Sequence, residues 1–272
     1  MKVLTIAGNT FRELIRGRAS FAVLLYLLLL PALAIPGGYV AVGQERKILV
    51  DVGLSLLTLI GIFLGVAWGT GLAGGGIDRH SLGFMLSKPL DRWQLILGRF
   101  AGLVAAQSVA TSLMGILLTL SHFVLLLLPL DESSGGGVSN VAGRDGWLFR
   151  LWLAIGLVFL ELLIVTALAM LCSELTSQPL AMVLTLLLTL IGRSATELIR
   201  LAESVTSPVA SGLFRILYYL IPNLASLNYL AEAGYDIEIP LRQVGGHLLY
   251  ATFTIVVILL LTTIAFERRE VE

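Results

Sequence analysis

The sequence predicts an all-α membrane protein: six transmembrane helices, an N-terminal amphipathic surface helix, and a short cytoplasmic helix between the second and third spans. Three observations carry this prediction. Of the 272 residues, 57% are hydrophobic and 13% are charged, against about 25% charged in a soluble domain. The mean hydropathy is +0.93, and the apolar residues come in runs matching the roughly 20 residues a membrane span needs. The polar residues collect between those runs instead of alternating with them, so residues 1–272 form one transmembrane domain in a lipid bilayer.

Residues 1–18 come first. Val3, Ala7, Phe11 and Leu14 fall on one helical face, with Leu4 and Ile15 beside them. Lys2, Asn9, Arg12, Glu13 and Arg16 lie mostly on the other face, the pattern of a helix lying along a membrane surface and ending at Gly17. A plain juxtamembrane basic segment that only sets topology fits the same residues. No cleavage pattern of small residues follows the first apolar run.

Six apolar spans are expected at 19–42, 51–75, 100–129, 150–172, 176–192 and 245–266. Pro31, Pro36 and Gly37-Gly38 should bend or unwind the end of the first. The third is longer than a bilayer requires and the fifth is short. Six spans put both termini on one side. The segments on that side, 1–18, 77–99, 173–178 and 267–272, carry ten Lys and Arg in 53 residues; the opposite side carries eight in 82. That bias makes the termini cytoplasmic in a cell membrane. The loop 131–146 is then outside, as is the segment 193–244. In the latter, Pro208–Leu220 and Asn223–Ala233 read as two short helices broken at Pro222.

Residues 74–99 are the longest polar interruption with helical character of its own. Gly74-Gly75-Gly76 lets a membrane helix end. Asp78, Arg79 and His80 then bring charge to a segment whose Leu82, Met85 and Leu86 recur at helical spacing. Ser87-Lys88-Pro89 stops it, and Asp91 is placed to cap the next helix, with Arg92 and Trp93 following at headgroup depth.

Equal numbers of basic and acidic residues, 18 each, give no attraction to nucleic acid. Cys172 stands alone, which excludes an internal disulfide and a cysteine metal cluster. No G-x-x-x-x-G-K-[ST] phosphate loop occurs, so ATP-driven work would need a second chain. No nucleophile–base arrangement or His-Glu-x-x-His stretch occurs, and His80, His122 and His247 are too scattered for a metal site. No catalytic residue and no metal ligand is expected, and the chain is not read as an enzyme.

Two features inside the spans stand out. Gly61, Gly65 and Gly69 form a doubled G-x-x-x-G ridge, which lets helix backbones approach closely in lipid. It fits packing within the chain, and it also fits a subunit interface or a central gate helix. Glu161 lies near the middle of the fourth span, where a carboxylate costs about 2.5–3.5 kcal/mol on insertion scales. It could line a path or hydrogen-bond to a neighbouring helix; no basic residue is expected at its depth. Arg193 and Glu197, one turn apart, are expected to pair with each other.

These residues resemble a known family. Ala7, Phe11, Arg12, Glu13, Arg16 and Arg18 are similar to the "A-x-x-x-F-R-E-x-x-R-x-R" opening of ABC transporter type-2 permeases. Asp78, Leu86, Ser87, Pro89, Arg92, Gly98 and Arg99 match the cytoplasmic motif of that family, although His80-Ser81 stands where its pattern has Gly-Thr. YLIPNLASLNY looks like the family's outer segment before the last span, and AFERREV like its basic ending. Permeases of the multi-copper enzyme maturation group share this flavour.

The resemblance implies the membrane-spanning subunit of an ATP-binding-cassette exporter, a homodimer of permeases on two separate ATPase subunits that hold the ATP and Mg. No cofactor would bind this chain directly. Asp78, Arg79, Met85, Leu86, Lys88, Pro89 and Arg92 would form the ATPase-coupling handle, with the N-terminal helix residues Phe11, Arg12, Glu13 and Arg16 alongside. Two other readings stay open: an ion- or proton-coupled transporter using Glu161, and a membrane assembly factor that transports nothing.

Overall fold

The computed structural model describes residues 2–17, 21–40, 45–74, 92–127, 146–204, 208–229 and 241–269. Among them all regular structure is helical. In chain order the helices are α1 (Lys2–Arg16), α2 (Phe21–Val40), α3 (Glu45–Gly74), α4 (Arg92–Leu127), α5 (Trp147–Leu175), α6 (Gln178–Arg193), α7 (Ala195–Ser204), α8 (Pro208–Leu220), a 3-10 turn (Ala225–Leu227) and α9 (Leu241–Arg269). Four of them, α3, α4, α5 and α9, are long and apolar enough to cross a membrane; the number rises to six if α1 with α2, and α6 with α7, each count as one bent span.

The architecture follows from small residues. Lipid gives apolar helices no hydrophobic reason to associate, so close van der Waals contact must hold them together. α3 and α5 run parallel along the glycine ridge. A Cβ on Gly61 would lie 2.5 Å from Leu162 Cδ1, one on Gly65 2.7 Å from Thr166 Oγ1, and one on Gly69 2.5 Å from Ala169 Cβ. The ridge therefore packs within the chain. α4 is antiparallel to α3: its Gln107 amide donates to the carbonyl of Gly61 across 3.3 Å, and its Leu118 fills the space over Gly53. α2 joins through the face Tyr26, Leu30 and Ala34, and the Tyr26 hydroxyl donates to the Gly53 carbonyl at 3.2 Å.

α4 carries a second ridge, Gly98, Gly102, Ala106 and Ala110, at four-residue spacing. Ala106 and Ala110 face the core, while Gly98 and Gly102 receive α1. Ile6 presses on Gly98 and Thr10 on Gly102, so α1 runs lengthwise along the first turns of α4, in the same direction. This differs from a helix lying by itself on the membrane. The buried face is Ile6, Thr10 and Leu14; Leu4 and Ile15 point outward. Thr10 can sit inside because the glycines bring two backbones together, a steric advantage that apolarity alone does not register.

Other expectations also shift. α2 passes Pro31 and Pro36 and remains helical to Val40; backbone groups freed in lipid would have no water to bond, which favours keeping the helix. α4 begins at Arg92, directly after the expected cap Asp91, and runs without a break through 92–99 into the apolar stretch. In the segment 193–244 there is an additional helix, α7, hairpinned onto α8 with Ser211 Oγ donating to the Ala202 carbonyl at 2.7 Å. The expected helix after Pro222 is, as far as Tyr229, only the 3-10 turn. Residues 230–240 lie outside the described part, as does most of the loop 131–146.

α6 wears its polarity inverted relative to a helix of a soluble protein. Ala181, Thr185, Thr189 and Gly192 face the bundle, while Leu180, Val183, Leu187 and Leu190 face out. That pattern is what a lipid surroundings selects: small residues for contact, large apolar ones for solvent.

Candidate functional site

The hairpin of α5 and α6 builds the most unusual feature of the bundle. The two helices are joined at Thr176-Ser177, so residues equidistant from that turn lie opposite each other. Glu161 is 15 residues before Thr176 and Arg193 is 16 after Ser177. At about 1.5 Å per residue both stand roughly 23 Å from the turn. Arg193 Nε accordingly lies 3.2 Å from Glu161 Oε1. The glutamate side chain is 1% exposed and the arginine 28%. This corrects two expectations. A basic residue does reach the depth of Glu161, and Arg193 does not pair with Glu197, which bonds Arg200 Nη1 at 3.0 Å.

The pair is close but poorly hydrogen-bonded. Neither oxygen of Glu161 makes a hydrogen bond of good geometry among the described residues. Charge attraction therefore holds the contact without the full set of directional bonds that a buried carboxylate ordinarily collects. Gln107 Oε1 and Thr111 Oγ1, one turn apart on α4 and buried, are also without a partner among the described residues.

The chain on either side of Arg193 is tightly engaged. α6 and α7 meet at 64° at Ser194. The Gly192 carbonyl accepts the Leu224 amide at 3.1 Å, and a Cβ on Gly192 would lie 2.7 Å from the Pro222 carbonyl oxygen. The 3-10 turn that follows packs on α5. Its far side is tied to α9, where the Tyr250 hydroxyl accepts the Asn223 amide at 2.7 Å and Tyr229 Oη lies 2.7 Å from His247 Nε2. His122 is buried, its ring tilted by 51° against that of Trp147 with centroids 4.1 Å apart.

A second polar group lies at the opposite end of the bundle. Arg99 on α4 is buried, within electrostatic reach of Glu174 at the end of α5 and of Glu13 on α1. Sequence reasoning places Arg99 in a motif but not in this cluster. Phe11 is half-buried against the core, whereas Arg12, Glu13 and Arg16 lie on the exposed side of α1. Arg92 opens α4. Asp78, Arg79, Met85, Leu86, Lys88 and Pro89 lie outside the described residues.

No protein-family model matches this chain, and no curated protein matches it. The geometry thus offers two charged groupings joined by a glycine-ridged bundle. One is an ion pair within the span region, able to hold two helices in register. The other is a three-helix cluster at the end where α1 docks.

Proposed function

We propose that this chain is the membrane-spanning permease subunit of an ATP-binding-cassette exporter, driven by an ATPase on a separate chain. In this reading α2, α3, α4, α5, α6 and α9 are the six spans, the α1 end faces the cytoplasm, and two copies pair over two ATPase subunits. The resemblance of residues 7–18 and 78–99 to type-2 permeases motivates it. One structural observation carries it furthest. α3 ends at Gly74 and α4 begins at Arg92 on the same end of the bundle where α1 sits on Gly98 and Gly102. Gly74 and Arg92, the two described ends that this segment joins, thus both lie at the α1 end of the bundle.

The lengths support a lever there. α4 has 36 residues, about 54 Å of helix, against a hydrocarbon core of about 30 Å. Its surplus is of the order of the length of α1, which lies along it. A partner gripping residues 78–92 would move α3 and α4 together with α1. Coupling then requires each nucleotide state of the partner to contact that segment differently.

Glu161 already faces Arg193, which favours a structural use of this carboxylate over a proton relay. The test replaces residues 78–86 with a Gly/Ser linker and measures the ATPase rate of the co-expressed partner in vesicles. Loss of permease-dependent stimulation, with membrane insertion intact, is the expected result. Unchanged stimulation rejects the reading.

A further inference from the structure

We propose that Ile221–Tyr229 is a plug closing the end of the bundle away from α1, and that the Glu161–Arg193 pair is the latch that keeps it seated. The inference rests on the exporter reading only for what an opened plug would serve; the latch itself is argued from the geometry.

Three consecutive residues concentrate the contacts. Gly192 holds the plug through its carbonyl and through its bare Cα, against which the Pro222 carbonyl and the Leu224 side chain pack. Arg193 holds α6 to α5 through Glu161. Ser194 redirects the chain by 64° into α7. Whatever moves Arg193 must therefore move the carbonyl on which the plug sits. The plug is a shaped object: Asn223 Oδ1 accepts the Ser226 amide and the Asn223 carbonyl accepts the Ser226 hydroxyl, rounding the chain into the 3-10 turn. Leu224 and Leu227 project from it and are 1% and 0% exposed. It touches α5 and α6 on one side and is tethered to α9 through Tyr250 and His247 on the other, so it bridges helices that a path between them would have to separate.

The latch is built to be released. An arginine sealed by a bidentate, hydrogen-bonded carboxylate would be a permanent strut. Here the closest approach is through Nε, the carboxylate lacks well-formed hydrogen bonds, and the guanidinium side is more than a quarter exposed. A modest rotation of α6 against α5 separates the charges while Arg193 gains solvent or headgroup contacts, whereas Glu161 is left behind. The seat at Gly192 and the tether at Tyr250 then differ in consequence. Losing the seat frees the plug at α6, and losing the tether frees it at α9.

The test uses the full chain in membrane vesicles without any ATPase. Cys172 is replaced by Ser, Leu227 by Cys, and labelling by a membrane-impermeant maleimide is timed from each side separately. The parent should label slowly. Glu161→Gln and Arg193→Gln should each label at least about fivefold faster, from one side only, as expected when a locally closed state loses part of its stability. The charge swap Glu161→Arg with Arg193→Glu should return the rate toward the parent, and Tyr250→Phe should raise it without touching the charges. A cysteine at Leu157, buried in α5, reports global unfolding and should stay unlabelled throughout. Parent-like labelling in both Gln variants overturns the latch, as does acceleration accompanied by labelling at position 157. Parent-like labelling in Tyr250→Phe as well overturns the plug. Accelerated labelling from the cytoplasmic face of the membrane would support the latch while rejecting the orientation of the exporter reading.

Discussion

Thr10 and Gly102 mark the point where α1 and α4 come closest: a Cβ on Gly102 would lie 2.6 Å from Thr10 Cβ and 2.8 Å from the Ala7 carbonyl oxygen. One neighbour is main chain and the other is the stem of a branched residue, so neither can swing aside. Gly102→Leu should therefore lever α1 off α4, with an overpacking cost of about 1–3 kcal/mol. Limited proteolysis between α1 and α2 should speed up in this variant. Cleavage at the parent rate would show that α1 is not seated there.

The same logic ranks the ridge on α3. Gly61 meets the tip of Leu162, a flexible side chain, whereas Gly69 meets Ala169 Cβ and, at 3.0 Å, the Thr166 carbonyl oxygen. Gly61→Ala should cost less than about 1 kcal/mol and Gly69→Ala about 1–3 kcal/mol. Thermal unfolding in detergent would check the order. Equal shifts in melting temperature would contradict the α3–α5 packing described above.

Removing Arg193 leaves the buried Glu161 without its partner. Arg193→Leu alone should destabilise the protein by about 3–5 kcal/mol, while the double variant with Glu161→Leu should come back to within about 1 kcal/mol of the parent. A double-mutant cycle measured by unfolding reads the coupling directly. Additive effects would mean that the two side chains do not depend on each other.

Arg99 is buried within electrostatic reach of Glu174 and Glu13. Arg99→Met keeps much of the volume and removes the charge, so it should cost about 2–5 kcal/mol, most of it from the carboxylates left behind. Adding Glu174→Gln should recover more of this than adding Glu13→Gln, because Glu174 is itself buried, whereas Glu13 is exposed. Melting temperatures of the three variants decide the point.

Much of the bundle is written in residue spacing. The four-residue step of Gly61, Gly65 and Gly69 announces a close helix contact, and the apolar runs find α3, α4, α5 and α9, with starts that fall three to eight residues inside the helices. The α5–α6 ion pair is also legible, since counting outward from Thr176-Ser177 sets Glu161 against Arg193. Local spacing instead suggests Arg193 with Glu197, because an i, i+4 pair is visible without knowing which helices are neighbours. Gly98 and Gly102 are obscured for a similar reason: they straddle the border between a polar stretch and an apolar run. The true inner face of α1 contains Thr10, which no hydrophobic pattern selects. α7 is hidden because the residues it buries are the small Ala195 and Ala202, and what holds it is α8.

The brevity of α6 has a consequence for the lipid itself. In the proposed six-span reading its 16 residues give about 24 Å of wall, some 6 Å less than an average hydrocarbon core, while α4 in the same molecule is more than long enough. The outward row of Leu180, Val183, Leu187 and Leu190 stops where Arg193 begins. Acyl chains along this flank must shorten, tilt or disorder to meet it. In that arrangement the protein imposes a dent on its surroundings, and membranes of different thickness cost it different elastic energies for the same conformation.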